Sequence, residues 1–271
     1  MAAEIPPSYV LGSAVAFCAG LCTSHGDDFV VANLDIALQQ VCRREAAHNH
    51  FFADYEELNV EGLQDICNLA AAIGPQRSIL AVSQLGPAVL TMSLLSMHGL
   101  KLATVFWQIG RRDQEILKRS GTLLINLNEH KSGRSLFREL AALQREGYSL
   151  ALMIDAPMKS RYRYTFLGYQ VRCSSMLERY AASFDKHVIP ISAELLDSTH
   201  LKLGALSSIS RMENLTQQLL SFLQNEIYRH IQQYNWSPGS IIFSDKDALI
   251  NGLRFIDDIL EWRSKLRDRY Q

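Results

Sequence analysis

Apolar positions recur along this chain with two rhythms. Spacings of three and four residues, the mark of a helix with one buried stripe, predict helices over Leu34–Arg44, Leu63–Ile73, Val89–Met97, Arg134–Arg145, Ser174–Phe184 and Leu215–Gln233. Short apolar and β-branched runs predict strands at Ile79–Ser83, Lys101–Phe106, Leu123–Leu127, Ser149–Ile154 and Val188–Ile191. Helices alternating with such runs imply an α/β fold, with a mostly parallel central sheet flanked by helices. In such sheets ligands bind at the C-terminal ends of the strands. Ser83, Gln84, Gln108, Asn126, Asn128 and Asp155 stand at or just past those ends, and they form the expected pocket lining.

Composition narrows the picture without redirecting it. The chain has 271 residues and is 48% hydrophobic, enough to bury a full core. One large domain is expected over 1–240, with an extension over 241–271. In that extension Ser244 reads as an N-cap with Asp247 at the third helical position, and Leu249, Leu253, Ile256 and Leu260 repeat on one face of a helix reaching about Tyr270. The stripe either closes the domain's own core or presents an interface to a carrier protein, a partner or a second copy of the chain. A net charge of −1 gives no global field toward nucleic acid or anionic lipid.

Five scattered cysteines without a Cys-x-x-Cys pair argue against a zinc site or a disulfide framework and suit a reducing cytoplasm. His50 and Asp54 could share a helix face, but no metal site is expected there. Val10–Cys22 is a 13-residue apolar run, short of the roughly 20 residues that span a bilayer, and no basic segment precedes it. It reads as a buried core helix, or as a short hydrophobic helix that dips into a membrane or clasps an acyl chain. A soluble protein without stable membrane insertion is the expectation either way.

The most specific local feature is Ile79 to Val82 running into Ser83-Gln84-Leu85-Gly86-Pro87, followed by an apolar helix. It resembles the active-site strand and turn of the bacterial lauroyl/myristoyl lipid A acyltransferases. Further pieces keep that family's order: Asn33-Leu34 opening a helix, Thr104-Val105-Phe106-Trp107-Gln108, Glu146-Gly147 before Ala151-Leu-Met-Ile-Asp155, Phe166-Leu-Gly168, Lys186-His-Val-Ile-Pro190, and Tyr234-Asn-Trp236. The resemblance runs over roughly 30–237 and implies a glycerolipid-acyltransferase-like fold.

The chain departs from that family at its chemistry. The family carries His, four residues, then Asp or Glu; here Gln84 and Val89 hold the two positions. Glutamine cannot accept the proton that acyl transfer to a hydroxyl must release, and valine cannot orient a base. The Gln84 amide and backbone N–H groups near Gly86 remain as donors to an oxyanion, with Ser83 as a nucleophile lacking a positioned base. The same residues also read as a plain strand-to-helix turn. His98, His130, His187, His200 and His230 each lack Asp or Glu five positions later, so the motif has not moved along the sequence.

Lys159, Arg161 and Arg163 alternate with Tyr162 and Tyr164 just after Asp155. Arginine forks bind phosphate or carboxylate, so the block reads either as the anion-binding part of a donor site or as a solvated edge. With Gly86, Gln108, Asn128, Arg134 and Asp155 it completes the expected substrate-binding set. The resemblance then implies an acyl or aminoacyl donor held as a thioester on a carrier protein or coenzyme A, with aminoacyl-tRNA left open. The acceptor is expected to be a small nucleophile, an amine before an alcohol, because an amine neutral near pH 7 needs less help from a base. No cofactor is expected. The alternative is a catalytically inactive binding or assembly subunit that keeps the fold.

Overall fold

In the strand Ser78–Val82 the four residues after Ser78 are apolar in succession because both of its faces are covered. Ile79 and Ala81 enter one hydrophobic core, while Leu80 and Val82 enter the other. This strand stands at the middle of the fold, seen in a computed structural model that describes residues 58–106, 109–156, 162–166, 169–197, 199–209, 213–229 and 242–243. The helices expected at 34–44 and from 245, the apolar run at 10–22, and Gln108, Lys159 and Arg161 lie outside the described residues.

In chain order the elements are β1 (Asn59–Glu61), α1 (Leu63–Ile73), β2 (Ser78–Val82), α2 (Ala88–Met97), β3 (Leu102–Phe106), α3 (Arg111–Arg119) and β4 (Leu123–Asn126). A 3-10 turn at Leu127–Glu129 leads to α4 (Gly133–Arg145) and β5 (Ser149–Met153). There follow β6 (Tyr164–Phe166), β7 (Tyr169–Arg172), α5 (Met176–Phe184), β8 (His187–Leu195), β9 (His200–Ala205), α6 (Leu215–Arg229) and β10 (Ile242–Phe243).

Seven strands form one sheet in the order β1-β9-β8-β2-β5-β3-β4. From β8 to β4 every pairing is parallel, and β9 turns back antiparallel on β8 with β1 parallel beside it. The expected α/β class with a mostly parallel sheet is therefore what the chain adopts. A separate three-stranded sheet pairs β6, β7 and β10, so residues 242–243 return to the hairpin that follows β5.

Helices occupy both faces, as the right-handed crossover rule requires when the chain reverses direction across a sheet. From β2 the chain moves toward β4 through α2 and α3, whose Leu90, Leu94, Leu95, Ile116 and Leu117 pack with Ile66 of α1 on one face. From β4 it moves back through α4 and α5 to β8, and Leu136, Leu140, Leu177 and Tyr180 join Leu219 and Leu223 of α6 on the other. The connections of the neighbours β2 and β5 thus leave in opposite directions, which opens a crevice at their C-terminal ends.

The opposite end of β2 is closed by a buried polar network. Tyr180 Oη donates to Gln144 Oε1 at 2.8 Å, Gln144 Nε2 donates to the Ser78 carbonyl at 3.1 Å, and the Ser78 and Ser149 hydroxyls meet at 3.1 Å. Each is satisfied without water, which suits a scaffold role. Six elements escape the periodicity reading, the two-residue β10 among them. In α3 only Ile116 and Leu117 are buried, too few for a period to show. The strands β1, β6, β7 and β9 are short or half-polar, and β8 runs on past Ile191 to Leu195 because Ser192 and Glu194 point away from the core that holds Ala193 and Leu195.

Candidate functional site

Past its last paired residue, β2 stays tied to β5. Ile154 N–H donates to the Val82 carbonyl at 2.7 Å. One residue on, the Asp155 carboxylate accepts the Gln84 backbone N–H through both oxygens, at 3.1 and 3.3 Å. Asp155 is fully buried. Ser83 Oγ accepts the Leu85 N–H at 3.3 Å, and Ser83 is itself only 4% exposed. The turn is thus built by side chains capping backbone donors.

Gly86 completes it with φ of 65°, in the left-handed region. A Cβ there would drive into the carbonyl oxygen of Ala193 on β8, so only glycine lets the turn lie against that strand. The Gln84 and Leu85 backbone N–H groups are consumed within the turn, so neither of these two is held out for an oxyanion; the Gln84 side-chain amide is a separate donor. Ser83 is buried as an acceptor, with no described histidine bonded to it.

Asp155 has a second layer behind it. The Cys173 thiol is pushed up to about 12, first by burial and then by the carboxylates of Asp155 and Glu178. Glu178 Oε2 accepts the Thr216 N–H at 2.9 Å and so caps the first turn of α6. Gln217 clamps β6 to α6: its Oε1 accepts Thr165 N–H at 2.9 Å and its Nε2 donates to the Thr165 carbonyl at 2.8 Å. Burial also raises the Tyr164 phenol, the Thr216 and Ser175 side chains oppose that shift, and the Glu178 carboxylate adds to it. The hairpin and α6 therefore back the crevice as one supported wall.

Beside Leu85 lies a cavity of about 150 Å³. Ala193 and Leu203 give it apolar surface, while Glu194, Lys202 and Glu226 supply charge. Glu194 and Lys202 are direct cross-strand partners, and Glu226 of α6 bonds Arg229 at 2.9 Å. Ionised, the three side chains sum to one negative charge. No part of the sequence reading pointed here, because β9 had not been recognised and only the β8–β9 register brings Lys202 to Glu194.

The remaining expected site residues are not gathered at this crevice. Asn128 and Arg134 are exposed at the end of edge strand β4, with β3 standing between it and β5. Asn128 N–H donates to Asn126 Oδ1 at 3.0 Å. Arg163 is exposed just before β6, and the rest of the basic block is outside the described residues. Among the described residues no group of three or more metal-ligating side chains is found, and no helix is long and apolar enough to cross a membrane. The site defines an α/β protein with a ligand-sized opening at the C-terminal end of a parallel sheet. The sequence matches no protein-family model, and no curated protein is significantly similar to it.

Proposed function

We propose that the protein is an acyltransferase that moves an acyl or aminoacyl group from a thioester donor, on a carrier protein or coenzyme A, to a small amine. The observation that carries this reading is the small charged cavity against the β2 turn. Glu194 and Glu226 suit an ammonium group, Lys202 suits a carboxylate, and a cavity of about 150 Å³ suits a small acceptor. Of the expected donor-binding groups, Arg163 is exposed just before β6, open to an anionic part of the donor. Positioning of two reactants is worth about 7–11 kcal/mol of barrier, enough to sustain transfer to a neutral amine without a general base. The glycerolipid-acyltransferase-like character of the fold belongs to this proposal, resting on the motif order along the chain.

The second reading is a binding or assembly subunit without turnover. It is favoured by the turn itself, where Ser83 is buried and the Gln84 N–H is spent on Asp155. The deciding experiment incubates the full-length protein with acyl-coenzyme A or an acylated carrier protein and with hydroxylamine or a primary amine, and follows the amide by mass spectrometry. Amide formed faster than in the protein-free control, and weakened by Glu226→Gln through a higher KM for the amine, supports the enzyme. Amide at the control rate with every donor, together with measurable donor binding, supports the subunit.

A further inference from the structure

No Asp or Glu stands five residues after His130, yet its imidazole has a carboxylate in three dimensions. The 3-10 turn after β4 brings His130 back over the first two turns of α4. There His130 Nε2 lies 3.1 Å from Glu139 Oε2, and His130 Nδ1 lies 3.5 Å from Ser135 Oγ. Ser135 and Glu139 are four residues apart and stack on one helix face, so a single ring spans both. The His130 side chain is 11% exposed and Ser135 is half-buried, whereas Glu139 reaches solvent.

The Ser135 hydroxyl has one proton and two acceptors within reach. It donates to the Ser132 carbonyl at 2.7 Å, and rotation about Cβ–Oγ turns the proton toward His130 Nδ1 when Nε2 carries the ring's own proton toward Glu139. Nucleophile, base and orienting carboxylate form the set that activates a serine, and the first distance is commonly loose before a ligand binds. Ser135 is also the third residue of a 13-residue helix. The N–H groups of Gly133 and Arg134 have no carbonyl to meet within that helix, and they lie within one turn of Ser135 at its positive end.

The geometry points to Ser135 as the nucleophile of a Ser135–His130–Glu139 relay that accepts acyl groups from activated esters or thioesters. Ser135 Oγ bonds to the carbonyl carbon as its proton passes to His130 Nδ1, and the first-turn N–H groups receive the oxyanion. The carbon–sulfur or carbon–oxygen bond then breaks, and the thiol or alcohol leaves with that proton. Water, giving a proton to the same nitrogen, releases the acid and restores Ser135. Glu139 acts through His130 as a positioning residue. This activity goes beyond the amine transfer proposed above and does not depend on it, since β3 separates β4 from the β2–β5 crevice.

The test treats the full-length protein with a fluorophosphonate, which bonds to an activated serine oxygen and loses fluoride, and locates the label by peptide mass spectrometry. The expected result is label on Ser135, none in Ser135→Ala, and a rate at least about 10²-fold lower in His130→Gln. Glu139→Gln is expected to slow labelling and Glu139→Asp to restore most of it, at unchanged melting temperature. Absence of label on Ser135 in the unaltered protein overturns the relay, and that measurement needs no variant. Equal rates in the unaltered protein and in His130→Gln overturn it as well. Should His130→Gln fail to fold, the Glu139 pair decides, because equal rates in Gln and Asp remove the orienting role.

Discussion

Replacing Gly86 by alanine tests the construction of the crevice. Two penalties fall on that residue and can be separated. The first is left-handed backbone, about 1–2 kcal/mol for a residue with a Cβ. Gly147, with φ of 88° and nothing within 4 Å of an added Cβ, bears that penalty alone. At Gly86, φ of 65°, the methyl also meets the Ala193 carbonyl, which is backbone and cannot rotate aside. The turn must then slide away from β8 and stretch the bond from Gln84 N–H to Asp155, two residues back. Losing a hydrogen bond to a carboxylate costs about 1.5–3 kcal/mol. The expected totals are about 2.5–5 kcal/mol for Gly86→Ala and about 1–2 kcal/mol for Gly147→Ala. Urea denaturation of both variants measures the difference, provided the m-values stay equal. A Gly86→Ala protein within about 0.5 kcal/mol of Gly147→Ala, beyond which surface-like substitutions rarely stray, would refute the close approach to β8.

Three further outcomes are expected. Tyr180→Phe leaves Gln144 Oε1 buried without its 2.8 Å donor and should lower stability by about 1–3 kcal/mol in the same assay, although the ring still packs. The Cys173 thiol binds its proton more tightly in the fold than its ordinary value of 9.0, so its contribution is whole below pH 9 and is lost as pH rises toward about 12; Cys173→Ala should flatten the alkaline limb of a stability-against-pH curve. The His200–Glu61 pair at 2.9 Å joins β1 to β9 with side chains 25% and 50% exposed, so Glu61→Gln should cost no more than about 1 kcal/mol by thermal denaturation, and less at high salt.

The parallel core was legible because its strands are apolar on successive residues. Ser78–Val82 and Ser149–Met153 advertise burial on both faces, and the helices between them carry clear stripes. The strand β9 was not legible: His200, Lys202 and Gly204 interrupt Leu201 and Leu203, and only pairing with β8 reveals that the polar residues face away from one core. The same blindness hid the cavity, whose Glu194 and Lys202 are separate surface charges until the register places them opposite each other. Asp155 was found through its position after β5, and what the sequence does not show is that its carboxylate is buried and accepts the Gln84 backbone N–H. A buried carboxylate bonded to a backbone N–H shapes the turn. His130 was passed over because a fixed five-residue spacing describes a turn leading into a helix, whereas a ring folded back over α4 meets residues at both five and nine positions on.

The chemistry available at the β2 turn follows from what its groups can hold. An alcohol acceptor must lose its proton as the new bond forms, and neither Gln84 nor Ser83 is placed to take it. A neutral amine attacks with its own lone pair and can release its proton afterwards, to the departing thiolate or to water. The carboxylates of Glu194 and Glu226 would favour the charged ammonium form of an ordinary alkylamine, which binds well and reacts slowly. Weakly basic amines escape that trap, since they stay neutral near pH 7 while still fitting a cavity of about 150 Å³. Hydroxylamine should therefore outrun methylamine at pH 7 by more than it does in the protein-free reaction, and the gap should narrow as pH rises toward the alkylamine's own pKa. Equal enhancement of both amines across that range would remove the carboxylates from the acceptor site.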